Sequence, residues 1–427
     1  MRRGLGFIGI LAACALAFWL GRRSGEPGPT SASSSKAASK SSVASKSKSK
    51  SKRGSRSSRA VRYKSKVKAK NAKAYFKEDR PEIDIETLPP RTIPIIDVHE
   101  HAQTLAEAKR LLRWMDHFNI KLTCLQSASI YTFTLDKQYG FERFKENNEE
   151  LLRIKDAYAG RFCAFVTVNP TEEGNVALLK DYAKRGADGL KLFLGHGAGT
   201  GKGKFHSMPL DDPRMMPIYA WAERTQFPLL FHINFIKYFE ELVRVMEAHP
   251  YLRICVPHFG LHKNTAKRLA RLSWLLERYP NFYLDMSYGH HDFHKEGFES
   301  LSKWLSRSQA FIRRHADRLL FGADMVLEKT KDDPYIEENL RSYMQWLEMP
   351  AFRFHMVPER TMKGMGMSPE VVRSIYWDAP HRYLLLDADG KLPDRSTGWP
   401  PKPVPGLPPL TAAVTPLGPA DILPPGR

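Results

Sequence analysis

Cysteine is scarce: four residues in 427, at positions 14, 124, 163 and 255, with no C-x-x-C or finger spacing among them. That excludes a thiolate zinc finger and a dithiol redox motif, and it leaves no legible disulfide framework. Positions 124, 163 and 255 lie inside apolar runs and are expected as buried thiols. No Gly-rich loop follows the first apolar run, which argues against a nucleotide-binding doubly wound sheet. No short internal repeat marks an array of stacked units. A balance of charge is also lacking, since the formal net charge is +20. The excess is local. Residues 1–80 hold 21 Lys and Arg against 3 acids, which leaves 45 bases against 43 acids in the rest. A near-neutral body of that kind fits a small-molecule enzyme better than a nucleic-acid binder.

The N-terminus, MRRGLGFIGILAACALAFWLGRR, sets an apolar stretch between two pairs of arginines and reads as a signal or membrane-anchor segment over 1–23. Its length is at the lower edge for a spanning helix, so a cleaved signal and an uncleaved anchor both stay open. Leu11-Ala12-Ala13-Cys14 also has the form of a lipoprotein box. These features point to a membrane-associated, N-terminally anchored and extracytoplasmic protein, although the basic arm that follows runs against the positive-inside rule. Residues 24–80 are rich in Ser and Lys and too poor in apolar side chains to repay ordering, so they read as a disordered basic linker. Without interleaved aromatics this arm carries no specific nucleic-acid signal. Attraction to anionic lipid or another polyanion is its expected chemistry. Residues 391–427 form a Pro-rich tail, which leaves 81–390 as the folded domain. The oligomeric state is not legible.

Within that domain eight apolar runs alternate with helix-length segments: 92–98, 120–128, 161–169, 188–194, 227–233, 252–258, 281–287 and 318–324. Continuous hydrophobicity fits parallel strands buried on both faces. Eight strand–helix units make a (β/α)8 TIM barrel the natural closure, an α/β fold whose chemistry sits at the C-terminal ends of the strands. Candidate ligands cluster there: His99 and His101 close the first run, Lys191 lies on the fourth, His232 on the fifth, His258 on the sixth and Asp324 on the eighth. In IIDVHEH, strand alternation puts Asp97, His99 and His101 on one face, opposite Ile96, Val98 and Glu100. Two imidazoles presented as a pair can close on one metal ion.

On IDVHEH, LLFHINF, PHFG, LLFGAD and the closing GMSPEVVRSIYWDAPHRYLLL, the chain resembles the amidohydrolase superfamily over roughly residues 93–386, specifically its amidohydrolase-related (amidohydrolase 2) family. Asp378 stands where that family usually has asparagine, a departure expected to affect packing. The resemblance implies a divalent metal, zinc first, held by His99, His101, His232 and Asp324 and activating a water. Asp324 would move the proton and His258 would polarise the scissile carbonyl. Lys191 is either a carboxylated bridge between two metals or a substrate-facing or structural ammonium. Asp97 is read from strand alternation as an outer acceptor that orients the histidines. The Gly-rich stretch 194–206 is either a basic substrate lid or a solvated loop. The expected function is a metal-dependent hydrolase of a small, carboxylate-bearing amide, ester or lactone. A metal-dependent decarboxylase is the alternative, and a non-catalytic membrane-tethered binding module is a second one.

Overall fold

The computed structural model describes residues 91–127, 143–193, 208–261, 265–289, 291–327 and 331–394. The N-terminal segment, the basic linker, most of the Pro-rich tail and the 194–206 stretch lie outside the described residues. Eight strands form one parallel sheet in chain order. They are β1 (Ile95–Glu100), β2 (Ile120–Gln126), β3 (Phe162–Val166), β4 (Gly189–Phe193), β5 (Leu229–His232), β6 (Ile254–Val256), β7 (Phe282–Asp285) and β8 (Leu319–Leu320). The Val98 N–H donates to Phe321 O at 3.0 Å, the Asp324 N–H to His99 O at 2.7 Å and the Leu327 N–H to His101 O at 2.8 Å, which joins the last strand to the first. The protein is the expected TIM barrel.

Helices occupy the connections: α1 (Leu105–His117), α2 (Phe144–Ala157), α3 (Asn175–Lys184), α4 (Met216–Thr225), α5 (Phe239–Ala248), α6 (Ala266–Arg278), α7 (His291–Lys303), α8 (Leu305–His315) and α9 (Asp333–Glu348). Helix α1 starts close behind β1 because Thr104 caps it: its Oγ1 accepts the Glu107 N–H at 3.2 Å, while the Glu107 carboxylate accepts the Gln103 N–H at 2.8 Å. The two bonds satisfy one N-terminal donor of the helix and fix the turn leaving the histidines. The Thr265 and Asp332 side chains cap α6 and α9 by accepting the Arg268 and Tyr335 N–H groups. None of the described helices is long and apolar enough to cross a membrane.

Two apolar clusters separate the faces of the strands. Leu190, Leu192, Phe231, Ile254, Val256, Phe282 and Leu284 pack outward against the helices. Ile96, Val98, Leu230, Cys255, Tyr283 and Leu320 fill the barrel interior, whose lower end is plugged by Ala379, Tyr383 and Leu384. Helix α10 (Pro369–Arg373), a π-helical turn (Ser374–Asp378) and α11 (Ala379–Leu384) form one continuous closing segment. Asp378 ends the π-helical turn 3.6 Å from the Arg373 guanidinium. Buried Arg253 ties this plug to the barrel, donating to Arg382 O at 2.9 Å and Gln226 Oε1 at 3.0 Å. An antiparallel hairpin, β9 (Ala351–Arg353) with β10 (Thr361–Lys363), adds a feature to which no role was assigned from sequence.

Two expectations are corrected. Cys124 and Cys163 are not free thiols: they face each other in the β2–β3 register, with Cα atoms 4.6 Å apart, and are joined as a disulfide. Cys255 remains free and buried. Simple alternation also fails on β1. Between Asp97 and Glu100 the first strand spends one residue more than β2 does, a bulge. Ile96 and Val98 face the interior before it. After it His99 and His101 do so, where unbroken alternation from Val98 would have turned Glu100 inward.

Candidate active site

The parity of the interior positions builds the site. Two residues beyond Leu230 stands His232, two beyond Tyr283 stands Asp285, and four beyond Leu320 stands Asp324. The apolar interior thus gives way to ionisable side chains at the C-terminal mouth. Lys191 faces the same interior between outward Leu190 and Leu192. Glycines make the space: a Cβ at Gly289, whose φ is +65°, would lie 2.3 Å from Asp324 Oδ2, and one at Gly322 would lie 3.0 Å from His99 Cβ. Asp324 and His258 hold left-handed backbone conformations, φ +49° and +61°, which non-glycine residues adopt only where surrounding contacts impose them.

His99 is the centre of the cluster. Its Nδ1 lies 2.8 Å from Asp285 Oδ2, and its Nε2 lies 2.8 Å from Lys191 Nζ and 3.4 Å from Asp324 Oδ1. The carboxylate of Asp285 accepts the Nδ1 proton, which leaves the Nε2 lone pair aimed at the barrel axis. His101 Nε2 reaches the same Asp324 oxygen at 3.3 Å. These donor atoms of His99, His101 and Asp324 lie within 4.8 Å of one another. Two neutral imidazole nitrogens and a carboxylate oxygen are a donor set that suits a divalent cation, with Asp285 as the outer acceptor that fixes one ligand's tautomer.

Electrostatics agree with that donor set. Burial lowers the His99 imidazole to about 4, against the pull of Asp324. Burial also lowers His101. Both rings are therefore neutral at ordinary pH, as metal ligation requires. Burial by itself would raise Asp324, but His99, His101 and His258 outweigh it and hold the carboxyl well below its usual range. Burial lowers Lys191 to about 8.

His258 opens a short turn, His258–Leu261. Its backbone N–H donates to Asp285 Oδ1 at 3.0 Å, and its Nδ1 donates to Ser287 O at 2.9 Å. Nε2 then lies 3.2 Å from His232 Nδ1 and 3.8 Å from Asp324 Oδ2. His232 is thus next to His258, and the three-residue donor cluster is formed without it. Asp97 does not orient the imidazoles. Its Oδ1 accepts the backbone N–H groups of His99 at 3.0 Å and Ala323 at 3.4 Å, so it holds the β1–β8 seam. Glu100 braces the same seam by accepting from Met325 at 3.0 Å and Val326 at 2.9 Å.

Asp285 and Ser287 are the site residues that sequence reasoning passed over. Ser287 Oγ lies 2.6 Å from Asp285 Oδ1, 3.1 Å from His99 Nδ1 and 3.0 Å from His258 Nδ1, so one hydroxyl touches both histidines. The signal was present in NFYLDMS, whose acidic residue sits near a strand end by the rule that singled out Asp324.

A concavity of about 850 Å³ opens elsewhere, beside Lys121, Arg161, Trp377 and Lys391 at the N-terminal ends of the first strands. It holds no histidine and no convergent donor set, so the chemistry, not the volume, locates the site.

A family model described as Amidohydrolase matches residues 130–386. The chain belongs to this amidohydrolase family. The match takes in Lys191, His232, His258, Asp285 and Asp324, and it begins after β1, so His99 and His101 precede it. Enzymes of the family are generally metal-dependent. No curated protein matches the sequence. Solved structures similar to it include an uncharacterised TIM-barrel protein from Bordetella bronchiseptica, 15% identical, with a TM-score of 0.46 and coverage of 69% of this chain and 99% of that one. A probable 2-pyrone-4,6-dicarboxylic acid hydrolase from Acinetobacter baumannii is 14% identical, with a TM-score of 0.46 and coverage of 69% and 100%. A 2,6-dihydroxybenzoate decarboxylase from Rhizobium is 15% identical, with a TM-score of 0.42 and coverage of 69% and 99%.

Proposed function

We propose that the protein is a metal-dependent hydrolase of a small substrate bearing an amide, ester or lactone bond. The observation that carries this reading is the convergence of His99 Nε2, His101 Nε2 and Asp324 at the barrel mouth, with Asp285 behind His99. A divalent ion there, zinc first among candidates, would supply Lewis acidity and acidify a water. Asp324 is ionised and faces both histidines, which suits it to accept the nucleophile's proton and return it to the leaving group. His258, whose Nδ1–H is held by Ser287 O and whose backbone is held by Asp285, turns Nε2 toward Asp324, where a proton received at Nε2 would make it a donor to a developing oxyanion. His232 supports His258 in this reading.

The test is turnover of lactone, ester and amide panels by the purified, zinc-supplemented protein beside an Asp324→Asn variant. Hydrolysis by the wild type and a loss of at least about 10²-fold in the variant supports the reading. Carbon dioxide release from unsaturated or aromatic acids, without hydrolysis, would replace it with the decarboxylase.

We further propose that the barrel works outside the cytoplasm, attached through its N-terminal segment. The Cys124–Cys163 pair supports this, because disulfides persist in oxidising compartments. Alkylation of the denatured, unreduced protein taken from its native cell should leave both cysteines unlabelled; labelling of both would refute the placement.

A further inference from the structure

The reading above gives Lys191 no part, yet its ammonium lies at the heart of the site. The residue is 1% exposed. Nζ stands 2.8 Å from His99 Nε2, and that same nitrogen lies 3.4 Å from Asp324 Oδ1. Since Asp285 takes the Nδ1 proton of His99, Nε2 carries the one lone pair the ring can offer, and Lys191 donates into it. A lone pair serves an ammonium proton or a metal ion, not both. The nearby anionic charge of Asp324 attracts both cations.

We propose that Lys191 and a divalent metal are alternative occupants of one cation position at His99 Nε2 and Asp324, making Lys191 a built-in competitor that lowers metal affinity. The inference rests on the metal reading of this site. No covalent step is involved: on metal binding the ammonium leaves His99 with its own protons, and the metal takes the lone pair. In the metal-free protein Lys191 holds His99 in the orientation that the metal later uses. A bridging ligand would act with the opposite sign, because removing it would weaken binding and reduce the number of metals held.

The experiment is a zinc titration of the full-length, metal-stripped protein against a chromophoric chelator, with Lys191→Met and Lys191→Gln beside the wild type. Both substitutions remove the ammonium, and the second covers the case in which the first does not fold. The expected result is one zinc per chain in every protein, bound about 10–100-fold tighter by the variants, the range for one charge-assisted hydrogen bond. The zinc-induced rise in Tm should be larger in the variants by the same linkage. Unchanged or weaker affinity in the variants, or a fall from two zinc ions to one, would overturn the inference and leave the metal site standing. Zinc bound by none of the three would overturn both.

Discussion

Replacing Asp285 by asparagine isolates what one buried carboxylate does for the site. The side chain keeps its volume and loses its charge. Asp285 Oδ2 accepts from His99 Nδ1 at 2.8 Å, while Oδ1 accepts from the His258 and Ser287 N–H groups at 3.0 Å each. The substituted amide is able to preserve the Oδ1 bonds, but its NH2 group would then point at His99 Nδ1. The imidazole must respond by moving its proton to Nε2, the atom that faces Asp324. Both groups are buried, so solvent does not screen the change. One charge-assisted hydrogen bond of this kind contributes about 1.5–3 kcal/mol. Loss of an outer partner to a ligating histidine ordinarily weakens metal binding by about 10–100-fold. The two figures agree at about 1.4 kcal/mol per factor of ten. The variant should therefore bind zinc about 10–100-fold more weakly in a chelator competition, with an unchanged far-UV spectrum. Wild-type zinc affinity in Asp285→Asn would refute the claim that Asp285 sets the His99 tautomer. The pH dependence gives a second readout. Burial raises Asp285, but His99 outweighs it and the net shift is downward. Its stabilising contribution is then present above the unfolded carboxyl pKa of about 4 and is lost as pH falls through the lower folded value. Acid-induced loss of stability in that window should be smaller in the variant than in the wild type.

Two further substitutions test the framework. Gly289→Ala puts a Cβ 2.3 Å from Asp324 Oδ2 at a position with φ +65°, so Asp324 must move. Its kcat should fall by at least about tenfold, while urea unfolding shows a loss of about 1–3 kcal/mol; wild-type kcat would contradict the placement of Asp324. Leu384→Ala empties a fully buried position in the plug at the lower end of the barrel and should cost about 2–5 kcal/mol of stability, with the metal site unaffected in the protein that remains folded. A loss below about 1 kcal/mol would mean that α11 does not seal the interior.

How far the sequence carried depended on whether a feature was local. All eight strands were legible, because each is a short apolar run between turn and helix signals. Boundaries drifted at the C-terminal ends. RLLFGAD was read as one strand over 318–324, yet β8 is Leu319–Leu320, because beyond Leu320 the chain bonds irregularly to the bulged end of β1. Strand ends also pointed to His99, His101, His232, His258 and Asp324, since a barrel brings such ends to one mouth. What could not be read was register. The Cys124–Cys163 bond requires knowing that these positions pair across β2 and β3. The orientation of Asp97 required knowing that β1 carries an extra residue. The contact between Lys191 and His99 spans β4 and β1 and has no local signature.

The central claim is that His99 and His101, with Asp324, form the metal-binding centre. Its most direct measurement is elemental analysis of the wild type beside a His99→Ala, His101→Ala double variant, purified alike and matched by circular dichroism. The account predicts about one divalent ion per wild-type chain and none in a folded double variant. A folded double variant that retains the wild-type metal content would contradict it.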